Sequence, residues 1–126
     1  MASCRACVLT CMDFRIQTAV ANWLRDKGLL GQYDYLSLPG ASRNFLEEGK
    51  INLVEDSYRL HKIKEVYLIH HEDCGAYNLG DLPVAEQLAR QRPDMEAAAR
   101  ILKERHPELK VHLAFLYLDG RVVELA

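Results

Sequence analysis

Two short stretches hold most of the residues able to do chemistry. They are Cys11-Met12-Asp13-Phe14-Arg15 and His70-His71-Glu72-Asp73-Cys74-Gly75. Zinc prefers tetrahedral nitrogen and sulfur ligands at about 2.0–2.3 Å. His71-x-x-Cys74 spans a tight turn, a spacing that lets two side chains converge on one ion, and Cys11 could supply a third ligand from a neighbouring strand. Three protein ligands leave a fourth place for water, the arrangement of catalytic zinc. Two thiolates cancel the charge of the dication, so its water is harder to deprotonate than one held over three neutral histidines. A carboxylate that orients this water would help, and Asp13 stands two residues beyond Cys11. Arg15 would hold Asp13 in a charge-assisted pair and keep it off the metal. Released, Asp13 could itself become the fourth ligand. Gly75 would let the backbone turn closely behind Cys74.

Taken singly, each feature has an ordinary explanation. A buried cysteine is usually a small hydrophobe, Asp-x-Arg is usually a surface pair, and His-x-x-Cys is a common accident. Their coincidence at the ends of two candidate strands favours one zinc per chain. A cysteine-phosphatase loop also places cysteine after a strand and arginine downstream, but it needs about five intervening residues to wrap a phosphate in backbone amides. Cys11 and Arg15 have three between them, one of them the acidic Asp13. Cys4 and Cys7 form a second Cys-x-x-Cys. A thioredoxin-type pair follows a strand and opens a helix, whereas this one precedes a strand, so structural thiols or an incidental metal site fit it better than redox work. His70 should point away from His71 if the strand still alternates there. His61, His106 and His112 read as surface or helix residues.

The elements that must position these groups alternate along the chain. Ala6–Cys11 and Val66–His70 are short apolar runs that read as buried strands, and Tyr33–Leu38 and Val111–Leu118 read as two more strands. Ile16, Val20, Trp23 and Leu24 fall on one face of a helix ending near Gly28, and Ile51, Val54 and Tyr58 mark a second helix. After Pro83 the pattern is helical, with a break expected at Pro93-Asp94 and a resumption to about His106. Asp119-Gly120 turns the chain into a last short strand, Val122–Leu125. Strands alternating with helices predict an α/β fold, a mostly parallel sheet with helices on both faces and one antiparallel edge strand. Strands without clear polar alternation fit burial on both faces. The chemically dense stretches then share the carboxyl rim of the sheet, where such folds bind ligands. The long irregular stretch is Pro39–Gly49.

The chain has 126 residues, enough for one domain spanning 1–126. Its net charge of −2 argues against nucleic acid or an anionic membrane as partner. No apolar run approaches the roughly 18 residues that span a bilayer. The amino-terminal stretch from Met1 is a poor signal peptide, because its apolar segment stops at Asp13. A cytoplasmic setting with reduced thiols is therefore expected.

At these residues the chain resembles the β-class carbonic anhydrases. The family's signatures are Cys-x-Asp-x-Arg after the first core strand and His-x-x-Cys after the third. Here they read Cys11-Met12-Asp13-Phe14-Arg15 and His71-Glu72-Asp73-Cys74, followed by Gly75. The resemblance covers residues 8–76 and continues weakly to the stretch from Tyr117 to Gly120. It implies strand order 2-1-3-4 with an added edge strand. It also implies zinc on Cys11, His71 and Cys74, with Asp13 and Arg15 as the catalytic dyad. The implied reaction is reversible hydration of carbon dioxide to bicarbonate. The implied assembly is a homodimer or higher homo-oligomer, since the family's pocket lies at a subunit interface. The alternative readings of this chain are a related zinc hydrolase of carbonyl sulfide or carbon disulfide, using the same metal site behind a different pocket, and a non-catalytic zinc-binding relative. Two departures stand out. No helical arm precedes the first motif, and the family's Arg-Asn-Ala-Gly-Gly segment is replaced by Leu38-Pro39-Gly40-Ala41-Ser42-Arg43-Asn44.

Overall fold

The computed structural model describes residues 2–47 and 49–126. Met1 and Glu48, which fall in the amino-terminal stretch and the long loop read above, lie outside the described residues. The strands are β1 (Ala6–Thr10), β2 (Tyr33–Ser37), β3 (Glu65–His71), β4 (Lys110–Leu116) and β5 (Val122–Leu125). The helices are α1 (Gln17–Asp26), α2 (Ser42–Phe45), α3 (Asn52–His61) and α4 (Val84–Arg105). The sheet runs β2-β1-β3-β4-β5, parallel except for the β4–β5 pair, as expected from the sequence.

Every residue of β1 is buried, as is all of β3 beyond Glu65, because both strands are covered on two sides. Val8, Tyr67, Ile69 and Ala114 face α1, where they meet Ile16, Val20 and Leu24. Cys7, Leu9, Val66 and Leu68 face the other way, onto Phe45, Val54, Ala98 and Leu102 from α2, α3 and α4. Period-2 alternation in two central strands thus feeds two apolar cores, each of which removes several large side chains from water.

Two expectations need correction. Helix α4 is not broken at Pro93-Asp94; it runs unbroken from Val84 to Arg105 with Pro93 inside it. Pro93 cannot donate to the carbonyl of Ala89, but both residues are exposed, so water can take that carbonyl's place in the ladder. The opposite face holds the helix together through buried Gln87, Gln91, Met95, Ala98 and Leu102. The Pro39–Gly49 stretch also contains the one-turn helix α2, whose Phe45 is buried.

The chain runs from β1 outward to β2, then crosses back to β3 on the other side of β1. That reversal opens a crevice beyond the carboxyl ends of β1 and β3, where an open parallel sheet binds ligands. Cys11 follows the end of β1 directly, and His71 is the last residue of β3.

Candidate metal centre

Cys11, His71 and Cys74 present ligand atoms that all lie within 4.8 Å of one another, and all three residues are buried. The Cys11 and Cys74 sulfurs are 3.9 Å apart. Two thiolates on one tetrahedral zinc stand roughly 3.8 Å apart, given Zn–S bonds of about 2.3 Å. His71 Nδ1 donates to the Glu72 carbonyl at 2.7 Å, which fixes the tautomer that leaves Nε2 with a free lone pair. Nε2 is buried with no hydrogen-bond partner. An orphaned buried nitrogen within 4.8 Å of two sulfurs costs free energy unless something binds it. The donor set and its spacing therefore fit a zinc ion.

The two thiols shape each other electrostatically. A hydrogen bond from Cys74 stabilises a thiolate at Cys11 and pulls its pKa far down, assisted by the backbone amides of Gly40 and Asp13. The same interaction, with burial, pushes Cys74 up. A cation between them would remove the reason for one sulfur to keep its proton.

Asp13 stands beside this cluster, its Oδ2 3.9 Å from His71 Nε2. Arg15 grips it in a fork: Nη2 donates to Oδ2 at 2.7 Å, and Nε donates to Oδ1 at 3.1 Å. The Arg15 backbone amide adds a bond to Oδ1 at 2.8 Å. Hydrogen bonding to Arg15 holds the Asp13 carboxyl at about 2. Arg15 is anchored in turn, since Nη1 donates to Asp73 Oδ2 at 3.1 Å and Nη2 to the Asp73 carbonyl at 3.0 Å. All five residues singled out from the sequence are thus brought to one place.

The supports around them were not legible in the motifs. Gln17 at the start of α1 donates to the carbonyls of Cys11 and Asp13, and Tyr35 of β2 donates to Gln17. From α4, Gln87 Oε1 accepts the Asp73 amide at 2.8 Å. Gln91 Nε2 donates to the His71 carbonyl at 3.0 Å, while its Oε1 accepts from His70 Nδ1. The available signal was two glutamines on the stripe Gln87, Gln91, Met95, Ala98, Leu102, since a polar residue on the inner face of a helix needs a buried partner. Gly80 lies so close to Asp73 that a Cβ there would fall 2.4 Å from its Oδ1. Gly75 does not have the role expected of it. It has open space around it, and the left-handed residue of the turn is Asp73, at φ 56°.

His70 does point away from His71. Its Nε2 accepts the Ser42 amide at 3.1 Å, which ties the substituted Leu38–Asn44 segment to β3. Gly40, at φ 71°, brings that segment within 3.0 Å of Ala76 Cβ, measured from where its own Cβ would be. Burial lowers the His70 pKa from 6.5 to about 4. The folded value lies below the unfolded one, so this neutral imidazole's contribution is complete above pH 6.5 and drains away as pH falls toward 4. The loss amounts to roughly 3 kcal/mol at one pKa unit per 1.36 kcal/mol. Urea unfolding of metal-free protein between pH 7.5 and 4.5 should show this slope, and His70→Gln should flatten it; equal slopes would place the acid sensitivity elsewhere.

A cavity of about 190 Å³ opens on the cluster, lined by Cys11, Met12, Asp13, Pro39, Gly75 and Ala76. It is smaller than the pockets that hold drug-sized ligands.

The matching family model, described as "Putative carbonic anhydrase", covers residues 1–125. The chain belongs to this family. It is 32% identical to an uncharacterized protein of Rickettsia bellii, spanning 94% of this chain and 79% of that one. A Rickettsia conorii relative is 33% identical over 94% of this chain and 70% of its own length. The fold is that of the β-carbonic anhydrases. The Streptococcus mutans carbonic anhydrase superposes with a TM-score of 0.71 at 23% identity, covering 99% of this chain and 83% of that one. A tetrameric β-carbonic anhydrase of Sordaria macrospora gives 0.67 at 17% identity, covering 100% and 82%. Among the described residues, no helix is long and apolar enough to cross a membrane.

Proposed function

We propose that this family member is a zinc-dependent carbonic anhydrase that interconverts carbon dioxide and bicarbonate. The observation that carries the reading is the unpartnered His71 Nε2, which faces two thiols with an arginine-held carboxylate 3.9 Å away. Cys11, His71 and Cys74 would hold the ion, which when bound supplies a Lewis-acid position that activates water near neutral pH.

The chain's own residues do the rest. Asp13 stays ionised through the working pH range and accepts a hydrogen bond from the attacking water, which turns a lone pair toward the substrate carbon. Arg15 keeps that carboxylate in place and off the metal position. Met12, Pro39 and Ala76 give the cavity apolar walls, suited to a small uncharged substrate. Attack of water on carbon dioxide yields bicarbonate and one proton, which passes to buffer. Stopped-flow hydration of carbon dioxide by zinc-loaded protein tests the proposal. Turnover that rises toward pH 9 supports it. No hydration at any pH up to about 9 sinks it, and hydrolysis of carbonyl sulfide instead would reassign the same site.

The proposal includes a homo-oligomer. Met12 and Phe14 flank the dyad yet are 60% and 86% exposed, an arrangement that a second subunit would cover. Strand β2 also leaves one sheet edge open. The solved neighbour from Sordaria macrospora is described as tetrameric. Light scattering at micromolar concentration should give at least twice the monomer mass of 14.4 kDa. A monomer would leave the cavity without the wall a partner provides.

A further inference from the structure

A second cluster of ligand atoms sits at the other end of the sheet. Cys4 precedes β1, Asp34 lies on β2, and His61 ends α3. Their sulfur, carboxylate oxygen and ring nitrogen all lie within 4.8 Å of one another, and each residue is partly exposed. From Cys4 to Cys11 the chain is mostly extended, which separates the clusters by roughly 20 Å at about 3.3 Å per residue.

The geometry points to a second divalent-cation site of the zinc or cobalt type on Cys4, Asp34 and His61. Several contacts hold the three groups ready. The Cys4 amide donates to the His61 carbonyl at 3.0 Å, which pins the amino-terminal segment to the end of α3. Ser57, one turn before His61 on α3, donates to Asp34 Oδ2 at 2.6 Å, and His61 Nδ1 meets the same oxygen at 2.7 Å. Among the described residues, Asp34 has no lysine or arginine partner; the ring nitrogen of His61 is what meets its carboxylate. A metal would take the place of the His61–Asp34 hydrogen bond, with the imidazole and the carboxylate both turning onto the ion beside the thiol. A thiolate, a carboxylate and a neutral imidazole carry two negative charges, matching a divalent ion, and the mix of sulfur, nitrogen and oxygen suits zinc, cobalt or cadmium. Solvent can fill the fourth position, because the His61 and Asp34 side chains are 38% and 31% exposed. Cys7 is not part of the set. It is fully buried in the core beneath, and burial pushes its thiol up to about 12. The Cys4-x-x-Cys7 spacing therefore supplies one ligand and one core residue. A cation here would clamp three segments that are distant in sequence, so its role is to stabilise the fold.

Cobalt(II) titration of the metal-free full chain tests this, read by thiolate-to-cobalt absorption and by metal content after desalting. Wild type should take up two equivalents. Cys4→Ser and His61→Gln, which alter different segments, should each take up one equivalent fewer while keeping wild-type carbon dioxide hydration. The cobalt-dependent rise in unfolding temperature should shrink in both. Equal uptake by wild type and either folded variant overturns the site. The deciding quantity is the difference between proteins, so the result stands whether or not the Cys11–His71–Cys74 centre proves catalytic.

Discussion

Cys74→Ser should emerge from purification with most of the metal of its primary site gone and with almost no carbon dioxide hydration. A serine hydroxyl is a weak zinc ligand because it keeps its proton near neutral pH, whereas a coordinating thiol is deprotonated outright. The substitution also removes one of the two negative charges that balance the ion. What remains, Cys11 and His71, is a two-ligand site open to water. Stability should fall with the metal. A ligand present at a hundred to a thousand times its dissociation constant contributes about 3–4 kcal/mol to the folded state. For a chain of this size that is roughly a 10 °C drop in Tm. Apo wild type, prepared with a chelator, is the control. Cys74 is buried in the core facing α1, but serine nearly matches its volume, so the variant should melt close to the apo protein. Full zinc retention by Cys74→Ser at the primary centre would remove Cys74 from the ligand set. Melting far below apo wild type would make its role packing instead.

How much of this could be read from the sequence depends on how far each feature reaches along the chain. The central strands were legible because β1 and β3 are short and largely apolar, and burial on both faces leaves such runs few other places to sit; their order was implied by the family resemblance of the two motifs. The convergence of Cys11 with His71 and Cys74 was legible for a related reason. Both motifs follow buried strands, and parallel strands put their carboxyl ends on one rim. The course of α4 was not legible, because local propensity favoured a break at Pro93 while the packing of Gln91, Met95 and Ala98 sustains the helix. Gln87, Gln91 and Gln17 were missed because a glutamine gives no sign of its partner. Only the phase of α4 in three dimensions puts residues 87 and 91 against Asp73 and His71. Cys4, Asp34 and His61 illustrate the same limit more severely, since each comes from a different element and none forms a spaced motif with another.

Arg15→Ala should cost more activity than Asp13→Asn, although Arg15 reaches the ligand cluster through Asp13 and Asp73. Asp13→Asn keeps the size and one acceptor of the side chain but loses its charge. An amide also competes for the wrong orientation, offering its N–H where an acceptor is required. A loss on the order of tenfold to a thousandfold is the scale for removing one such oriented electrostatic contact, with zinc retained. Arg15→Ala acts differently. It deletes both forked bonds to Asp13 and the links to Asp73 that hold the fork. The freed carboxylate lies only 3.9 Å from His71 Nε2, so a modest rotation would let it take the fourth place on the ion. The variant should keep its zinc, be nearly inactive at neutral pH, and recover partly as hydroxide concentration rises. Cobalt substitution distinguishes the two, because a change from water to carboxylate alters the metal's absorption in Arg15→Ala but not in Asp13→Asn. Hydration rate against pH, with metal content measured for wild type and both variants, is the decisive comparison. Equal rates in all three would show that Asp13 and Arg15 are bystanders. A zinc-replete Arg15→Ala protein with a wild-type cobalt spectrum and low activity would mean that Arg15 acts on substrate rather than through Asp13.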